Sequence, residues 1–191
     1  MKKRRVLSVV LAASMFAMLL TGCGGGNQGS AEGSQAAAIG QGVAEAESCI
    51  KIGVSGTPDL DPAIVNTGSS LIAAINIYDT LIFPSNEADE GVIPRVAEDW
   101  TISEDGLTYT FNLKKGIKFH NGDELTASDV VYSMDRLLTI GEGYAYIFTS
   151  YVEPGTTVAV DDYTVEFHLK QAYGPFINAL VRLYILNEDE V

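Results

Sequence analysis

The sequence predicts a mixed α/β fold for the part of the chain that follows its first 47 residues. Apolar and polar residues alternate with a period of two in residues 106–114 and again in residues 164–170, which is typical of half-buried antiparallel strands. Between these two segments, Thr126 begins a stretch in which apolar residues recur at helical spacing. Strands and helices therefore alternate along the chain, as in a mixed α/β class.

The first 23 residues have the composition of an export signal. Residues 2–5 are four cations, and residues 6–20 form an apolar run that is shorter than the about 20 residues of a membrane-spanning helix. The run ends in LTGC, which resembles the bacterial lipobox and predicts lipidation of Cys23 after cleavage. Ordinary cleavage that leaves a free cysteine is the alternative.

Residues 24–47 are rich in Gly, Ala, Ser and Gln and contain no aromatic residue, so they are predicted to be a flexible linker. The whole chain has 12 basic and 25 acidic residues, and removal of the signal leaves eight bases and a net charge of −17. This charge argues against nucleic acid as a partner, because binding to the phosphate backbone depends on cationic side chains.

The first elements of the folded part are a strand and a helix. Residues 48–54 (SCIKIGV) alternate weakly and predict a short strand. Ser69 or Ser70 is expected to cap a helix that Pro84 helps to end. The predicted apolar side of this helix contains Leu71, Ile72, Ile75, Tyr78 and either Leu81 or Ile82.

A β-hairpin and a further strand follow. Residues 100–102 are expected to pair with the 106–114 strand across the acidic turn 103–106. The turn Asp161-Asp162 precedes the strand at residues 164–170. The side chains predicted to be buried are Leu107, Tyr109, Phe111, Leu113, Val165, Phe167 and Leu169. A helix over residues 173–181, with Pro175 near its first turn, is predicted near the end of the sequence.

Residues 116–132 (GIKFHNGDELTASDVVY) have the residue types of a catalytic or metal site. Thr126 and Asp129 form a capping-box pattern, and replacing Asp129 with alanine is expected to cost on the order of 1 kcal/mol. Asn121-Gly122 predicts a tight turn. No metal is expected, because the other histidine, His168, belongs to a separate strand. A general acid–base pair among Asp123, Glu124 and Asp129 stays open as the alternative.

Several ordered motifs together resemble one protein family. They are residues 60–62 (LDP), 78–81 (YDTL), 94–100 (PRVAEDW), 105–122, 125–133 and 161–167 (DDYTVEF). This set is similar to the family 5 extracellular solute-binding proteins, the oligopeptide, dipeptide and nickel receptors of ABC transporters. The resemblance covers nearly all of residues 50–191.

The resemblance implies a two-lobed periplasmic-binding-protein-like fold that closes on its ligand at a hinge. Residues 48–83 would form the first part of lobe I, residues 84–178 an inserted subdomain of that lobe, and residues 179–191 a return into it. Because family members are much longer, the chain is expected to be an N-terminal portion that contains only part of lobe I.

The resemblance also nominates ligand-binding residues. Asn66, Thr67 and Gly68 match a family segment that offers backbone groups to the ligand, and simple helix capping is the alternative reading. Tyr144 and Tyr146 match a loop whose aromatic side chains reach the ligand, and packing in the core or a loop is the alternative. No catalytic residue, metal or cofactor is implied.

The sequence therefore predicts a monomeric, extracytoplasmic protein that is anchored to the membrane by lipid on Cys23. It would capture a peptide-like or other small solute and deliver it to the permease of an ABC transporter, without acting as an enzyme. Two alternatives stay open. One is a surface lipoprotein hydrolase that uses paired carboxylates, and the other is a sensor or structural lipoprotein that reuses the fold.

Overall fold

The computed structural model describes residues 50–89 and 91–191, so the predicted signal, Cys23 and the linker lie outside the described residues. Residues 50–191 form one compact unit. Its elements are helix α1 (Gly68–Ile77), strands β1 (Ile82–Pro84), β2 (Val92–Pro94), β3 (Ala97–Ile102) and β4 (Thr108–Leu113), helix α2 (Ala127–Ile140), strands β5 (Thr157–Asp161) and β6 (Thr164–His168), and helix α3 (Phe176–Ala179). This order confirms the mixed α/β class.

Four strands form one antiparallel sheet in the order β3-β4-β6-β5. The register places Tyr109 opposite Phe167 and Phe111 opposite Val165, and all four side chains are buried. The rings of Phe111 and Phe167 meet edge to face with centroids 5.7 Å apart. Strands β3 and β4 pair across the predicted turn, with Trp100 opposite Phe111, so the predicted hairpin is confirmed. The predicted inward face is buried except at Leu107, which is half-buried. Strands β1 and β2 form a separate antiparallel pair.

Helix α2 packs against β5 and β6 and begins where the capping pattern predicts. The Asp129 carboxylate accepts a hydrogen bond from the backbone N–H of Thr126 at 2.8 Å and is almost fully buried. The helix ends at Gly141, whose left-handed backbone (φ 72°) lets its N–H bond to the carbonyl of Leu137. The buried apolar side chains of α2 are Val130, Met134, Leu137 and Leu138.

The Asn121-Gly122 turn is also confirmed. The N–H of Gly122 donates to the carbonyl of Phe119 at 3.0 Å, and the N–H of Phe119 donates to the carbonyl of Asp123 at 2.9 Å. Gly122 has a φ of 98°, a value that favours glycine. Residues 116–126 therefore connect β4 to α2 through a tight turn.

Two predictions about the start of the folded part are wrong. Residues 50–54 form no strand and pair with none of the described strands, and Ile50 and Ile52 are exposed. Helix α1 buries Ser69, Ser70 and Ala74, whereas the predicted apolar residues Ile72 and Ile75 are exposed. The serines face inward because they take part in polar contacts: the N–H of Asp59 donates to Ser70 Oγ at 3.0 Å.

The two predicted helix ends also need correction. Helix α1 ends at Ile77, and Pro84 is the last residue of strand β1 instead of a helix terminator. The helix predicted over residues 173–181 is a four-residue α3, which begins after Pro175 and is followed by the 3₁₀ turn Leu180–Arg182. Pro175 fits there because its fixed φ suits a helix start.

Residues 183–186 are buried and return beside the segment that follows α1. Thr80 and Tyr184 form an isolated antiparallel bridge, and the N–H of Ile185 donates to the carbonyl of Asp79 at 3.0 Å. Within the described part of the chain, no helix is long and apolar enough to cross a membrane. The division into residues 48–83, 84–178 and 179–191 stays a prediction.

Candidate functional site

The loop that leads into α1 is fixed by an ion pair with α2. Both Nη atoms of Arg136 donate to the Asp61 carboxylate, each at 2.7 Å, in a bidentate arrangement. Asp61 Oδ1 also accepts the N–H of Ala63 at 3.0 Å. The hydroxyl of Tyr78 donates to the carbonyl of Leu60 at 2.9 Å. These contacts hold the LDP loop on α1 and α2.

The hydrogen bonds from Arg136 lower the pKa of Asp61 below its ordinary value of 3.8. A carboxyl whose pKa is lower in the folded state stabilises the fold above its unfolded pKa, and this contribution is lost as the pH falls through the folded pKa. Because the Asp61 side chain is 36% exposed, solvent screening limits the energy of the pair.

Replacing Asp61 with asparagine is therefore expected to cost about 1 kcal/mol of unfolding free energy at pH 6. The difference from wild type should narrow as the pH falls below about 4, where the carboxyl of the unfolded chain takes up a proton, and should vanish only below the lower pKa of the folded carboxyl. Urea denaturation at pH 6 and pH 3 measures this. An equal difference at both pH values would show that the charge of Asp61 contributes nothing.

The predicted residues Asn66, Thr67 and Gly68 lie on the surface at the start of α1. Thr67 is the N-cap, and its Oγ1 accepts the N–H of Ser70 at 3.2 Å. The cap is therefore Thr67 and not, as predicted, Ser69 or Ser70, which lie inside the first turn of the helix. The N–H groups of Gly68 and Ser69 have no acceptor among the described residues. Since no acidic residue occupies the first turn, the positive end of the helix dipole is available to an anion.

A close backbone contact brings the second predicted loop to the first. A Cβ atom added to Gly143 would lie 2.6 Å from the carbonyl oxygen of Ala63, so only glycine fits there. The next residue, Tyr144, is half-buried and packs with Val65, Ala74 and Tyr184. Tyr144 and the Asn66–Gly68 turn therefore adjoin one small cluster that contains Val65.

Tyr146 lies apart from this cluster. It is in the 3₁₀ turn Ala145–Ile147, and its side chain is 71% exposed. The structure thus places Tyr144, but not Tyr146, in the cluster next to the α1 start.

Two residues near Tyr144 were missed at the sequence level. The Cζ atom of Arg182 lies 4.9 Å from the centroid of the Tyr144 ring, a cation–π distance. Tyr184 is buried, and its hydroxyl has no hydrogen-bond partner among the described residues. Burial raises the pKa of Tyr184, and the nearby Arg182 opposes that rise. The sequence feature that could have identified Arg182 is its position as a single cation within the apolar stretch ALVRLYIL.

The carboxylates of residues 116–132 are occupied by the fold. Glu124 accepts the hydroxyl of Tyr163 at 2.7 Å and the N–H of Gly116 at 3.0 Å, and the Tyr163 bond lowers the pKa of Glu124. Asp123 accepts the side-chain amide of Asn187 at 3.1 Å. A general acid needs a raised pKa, so this arrangement does not favour acid catalysis.

The predicted ligand-binding residues lie away from a cavity of the structure, and the described residues form no metal site. In residues 50–89 and 91–191, no three His, Cys, Asp or Glu side chains are grouped to hold a metal ion. A cavity of about 290 Å³ lies between residues 77–79, the 117–121 loop and residues 185–187. None of the five predicted site residues lines it.

Comparison with known proteins decides the family. The family model for bacterial extracellular solute-binding proteins, family 5 Middle, matches residues 91–189. The chain belongs to this family. The resemblance based on sequence motifs is thereby confirmed, and the relatives of this family 5 chain are binding proteins.

Two relatives of this family 5 chain are named for small peptides. The dipeptide-binding protein of Escherichia coli (strain K12) is 36% identical over an alignment of 141 positions, and the match covers 64% of this chain and 26% of that protein. The di/tripeptide-binding protein 1 of Pseudomonas aeruginosa (strain UCBPP-PA14) is 32% identical over an alignment of 136 positions, and the match covers 63% of this chain and 25% of that protein. The chain thus spans about a quarter of the length of these relatives.

A solved structure supports the fold assignment. The ABC transporter-associated periplasmic binding protein DppA from Helicobacter pylori, in complex with the peptide STSA, is 33% identical and superposes with a TM-score of 0.57. The match covers 68% of this chain and 29% of that protein. The family 5 chain therefore has part of the periplasmic-binding-protein fold.

Proposed function

We propose that this chain contributes the ligand-contacting surface of an extracytoplasmic binding protein that captures a peptide-like small solute. The protein delivers this solute to the permease of an ABC transporter, acts as a monomer and performs no chemistry. Lipid on Cys23 anchors it to the outer face of the cell membrane. Asn66, Thr67, Gly68 and Tyr144 contact the solute, and Tyr146 joins them only after a rearrangement of its turn.

One observation carries the proposal. Loops that are far apart in the sequence adjoin one cluster, because Gly143 lies against Ala63 and Tyr144 packs against the cluster of Val65, Ala74 and Tyr184. The cluster places an aromatic ring near backbone donors at a helix start, a combination that suits an amphipathic ligand with a charged or polar backbone. The names of the two peptide-binding relatives agree with this ligand class.

The hydrolase alternative has less support. Its three candidate carboxylates hold a turn, a tyrosine hydroxyl and a helix start, and the pKa of Glu124 is lowered. A sensor lipoprotein would have the same solute-binding surface. It would differ from the proposed transport protein in its protein partner and not in its ligand site.

Thermal melting of the chain purified from membranes, with a panel of di- and tripeptides, sugars and nickel chelates, tests the proposal. A peptide at about 100 times its Kd should add about 2.7 kcal/mol of stability and raise the Tm by several degrees. The mass of the N-terminal peptide should include lipid on Cys23. Unchanged melting across the panel would contradict solute binding, and an unmodified Cys23 would contradict the anchor.

A further inference from the structure

We infer that Arg182 binds a carboxylate of the solute and so selects ligands that carry one. This inference rests on the proposed function, and it adds a specificity-determining residue and a chemical class of ligand. The fold holds Arg182 in place, and none of the described acidic residues forms an ion pair with it.

The backbone and an aromatic ring both restrict Arg182. It is the last residue of the 3₁₀ turn Leu180–Arg182, and it lies between the half-buried Val181 and the buried Leu183. Its side chain is half-buried, and its guanidinium lies over the Tyr144 ring at 4.9 Å. Stacking on an aromatic face leaves the in-plane N–H donors of a guanidinium free to bind a planar acceptor.

The other arginines in the described part of the chain each have a carboxylate. Arg136 binds Asp61 at 2.7 Å, and Arg95 binds Asp79 at 2.7 Å. No Asp or Glu of the described residues lies within 4.0 Å of a nitrogen atom of Arg182. In a chain with 25 acidic residues, a half-buried arginine with no such partner is the group best suited to an anion supplied by a ligand.

The surroundings of Arg182 also favour an anion. Arg182 and Arg136 line a small cavity together with Ala63 and Tyr184. The buried hydroxyl of Tyr184 lies beside the Arg182 guanidinium, which opposes the rise in the pKa of Tyr184, and it adds a polar group to these surroundings. The positive end of α1 begins a few residues beyond Ala63. Of these groups, Arg182 lies over the Tyr144 ring and Tyr184 belongs to the cluster against which Tyr144 packs, and the proposed function already assigns Tyr144 to the solute.

Either the C-terminal carboxylate of a short peptide or an acidic side chain would satisfy this site. Calorimetric titration of the chain with Ala-Ala, Ala-Ala amide and N-acetyl-Glu amide distinguishes these sources. We expect Ala-Ala amide to bind at least about tenfold more weakly than Ala-Ala if the C-terminus is bound. N-acetyl-Glu amide should bind instead if the side-chain carboxylate is recognised.

Variants assign the effect to Arg182. Arg182→Met should weaken binding of the carboxylate ligand at least about tenfold and should abolish the difference between acid and amide, whereas Arg182→Lys should restore part of it. Arg95→Met is the matched control, because Arg95 also lies over an aromatic ring, that of Phe83 at 5.8 Å. Arg95→Met should leave the affinity for Ala-Ala unchanged.

The possible outcomes distinguish a failure of the inference about Arg182 from a failure of the proposed function. If wild type binds Ala-Ala and Ala-Ala amide equally well and does not bind N-acetyl-Glu amide, or if Arg95→Met weakens binding as much as Arg182→Met does, the inference about Arg182 is overturned and the proposed function stands. If wild type binds no member of the panel, the proposed function fails, and the inference fails with it. The comparison of acid with amide needs no variant, so it holds even if Arg182→Met fails to fold.

Discussion

Replacing Asp129 with alanine is expected to lower the free energy of unfolding by about 2–4 kcal/mol, more than a helix cap alone would cost. One oxygen of its carboxylate accepts the N–H of Thr126 at 2.8 Å, and the other accepts the N–H of Glu188 at 3.1 Å. The carboxylate is only 4% exposed, so alanine would leave both donors without a partner in a buried setting.

Urea denaturation of wild type and variants measures this loss. Asp129→Asn keeps one acceptor oxygen and should cost less than Asp129→Ala. Asp135→Ala is the matched control on the same helix, where a half-buried carboxylate accepts the N–H of Gly155 at 2.9 Å, and it should cost about 1 kcal/mol. A loss of 1 kcal/mol or less for Asp129→Ala would mean that Asp129 acts only as a helix cap.

Replacing Gly143 with alanine is expected to cost about 2–4 kcal/mol and to weaken solute binding. The new Cβ would lie 2.6 Å from the carbonyl oxygen of Ala63, and φ at this position is 54°. Because the clash is with backbone on both sides, one of the two loops must move. That movement would shift Tyr144 away from the cluster that contains Val65, and so would separate the two halves of the proposed site.

Gly155→Ala is the control for Gly143→Ala. Gly155 has a φ of 82°, but an added Cβ there would meet no atom within 4 Å. It should therefore cost only the left-handed backbone penalty of about 1 kcal/mol and leave solute affinity unchanged. Equal losses for the two variants, measured by denaturation, would show that the contact between Gly143 and Ala63 is unimportant.

The elements predicted well from the sequence are those whose signals are local. The alternation in β4 and β6 determines which side chains face inward, and the pairing of Tyr109 with Phe167 follows once those faces pack on a common core. The start of α2 was equally local, since Thr126 and Asp129 are three residues apart. The contact of Glu188 with Asp129 joins residues that are distant in the sequence, so the capping pattern alone predicts a loss of only about 1 kcal/mol for Asp129→Ala.

Predictions that depended on distant contacts were less successful. The apolar residues of α1 suggested an apolar inner face, yet Ser70 is buried because the N–H of Asp59 donates to its Oγ. A strand at residues 50–54 requires a neighbour to share its backbone hydrogen bonds, and a weak alternation in the sequence says nothing about that neighbour.

In the candidate site, too, the local features could be predicted from the sequence and the contacts between distant residues could not. The capping role of Thr67 follows from local sequence, whereas the meeting of Tyr144 with the α1 start depends on Gly143 fitting against Ala63. The contact of Arg182 with Tyr144 joins residues that are distant in the sequence, so no local pattern indicates it. The family resemblance nominated Tyr144 and Tyr146 equally, and only the packing separates them.

The central claim is that the chain binds a small peptide-like solute between the start of α1 and Tyr144. The most direct test is the titration of the isotopically labelled chain with Ala-Ala, followed by the backbone amide resonances in NMR spectra. We predict that the largest shifts occur at Asn66, Thr67, Gly68 and Tyr144, with smaller changes elsewhere. Shifts confined to residues 119–124, or no shifts at millimolar peptide, would contradict the claim.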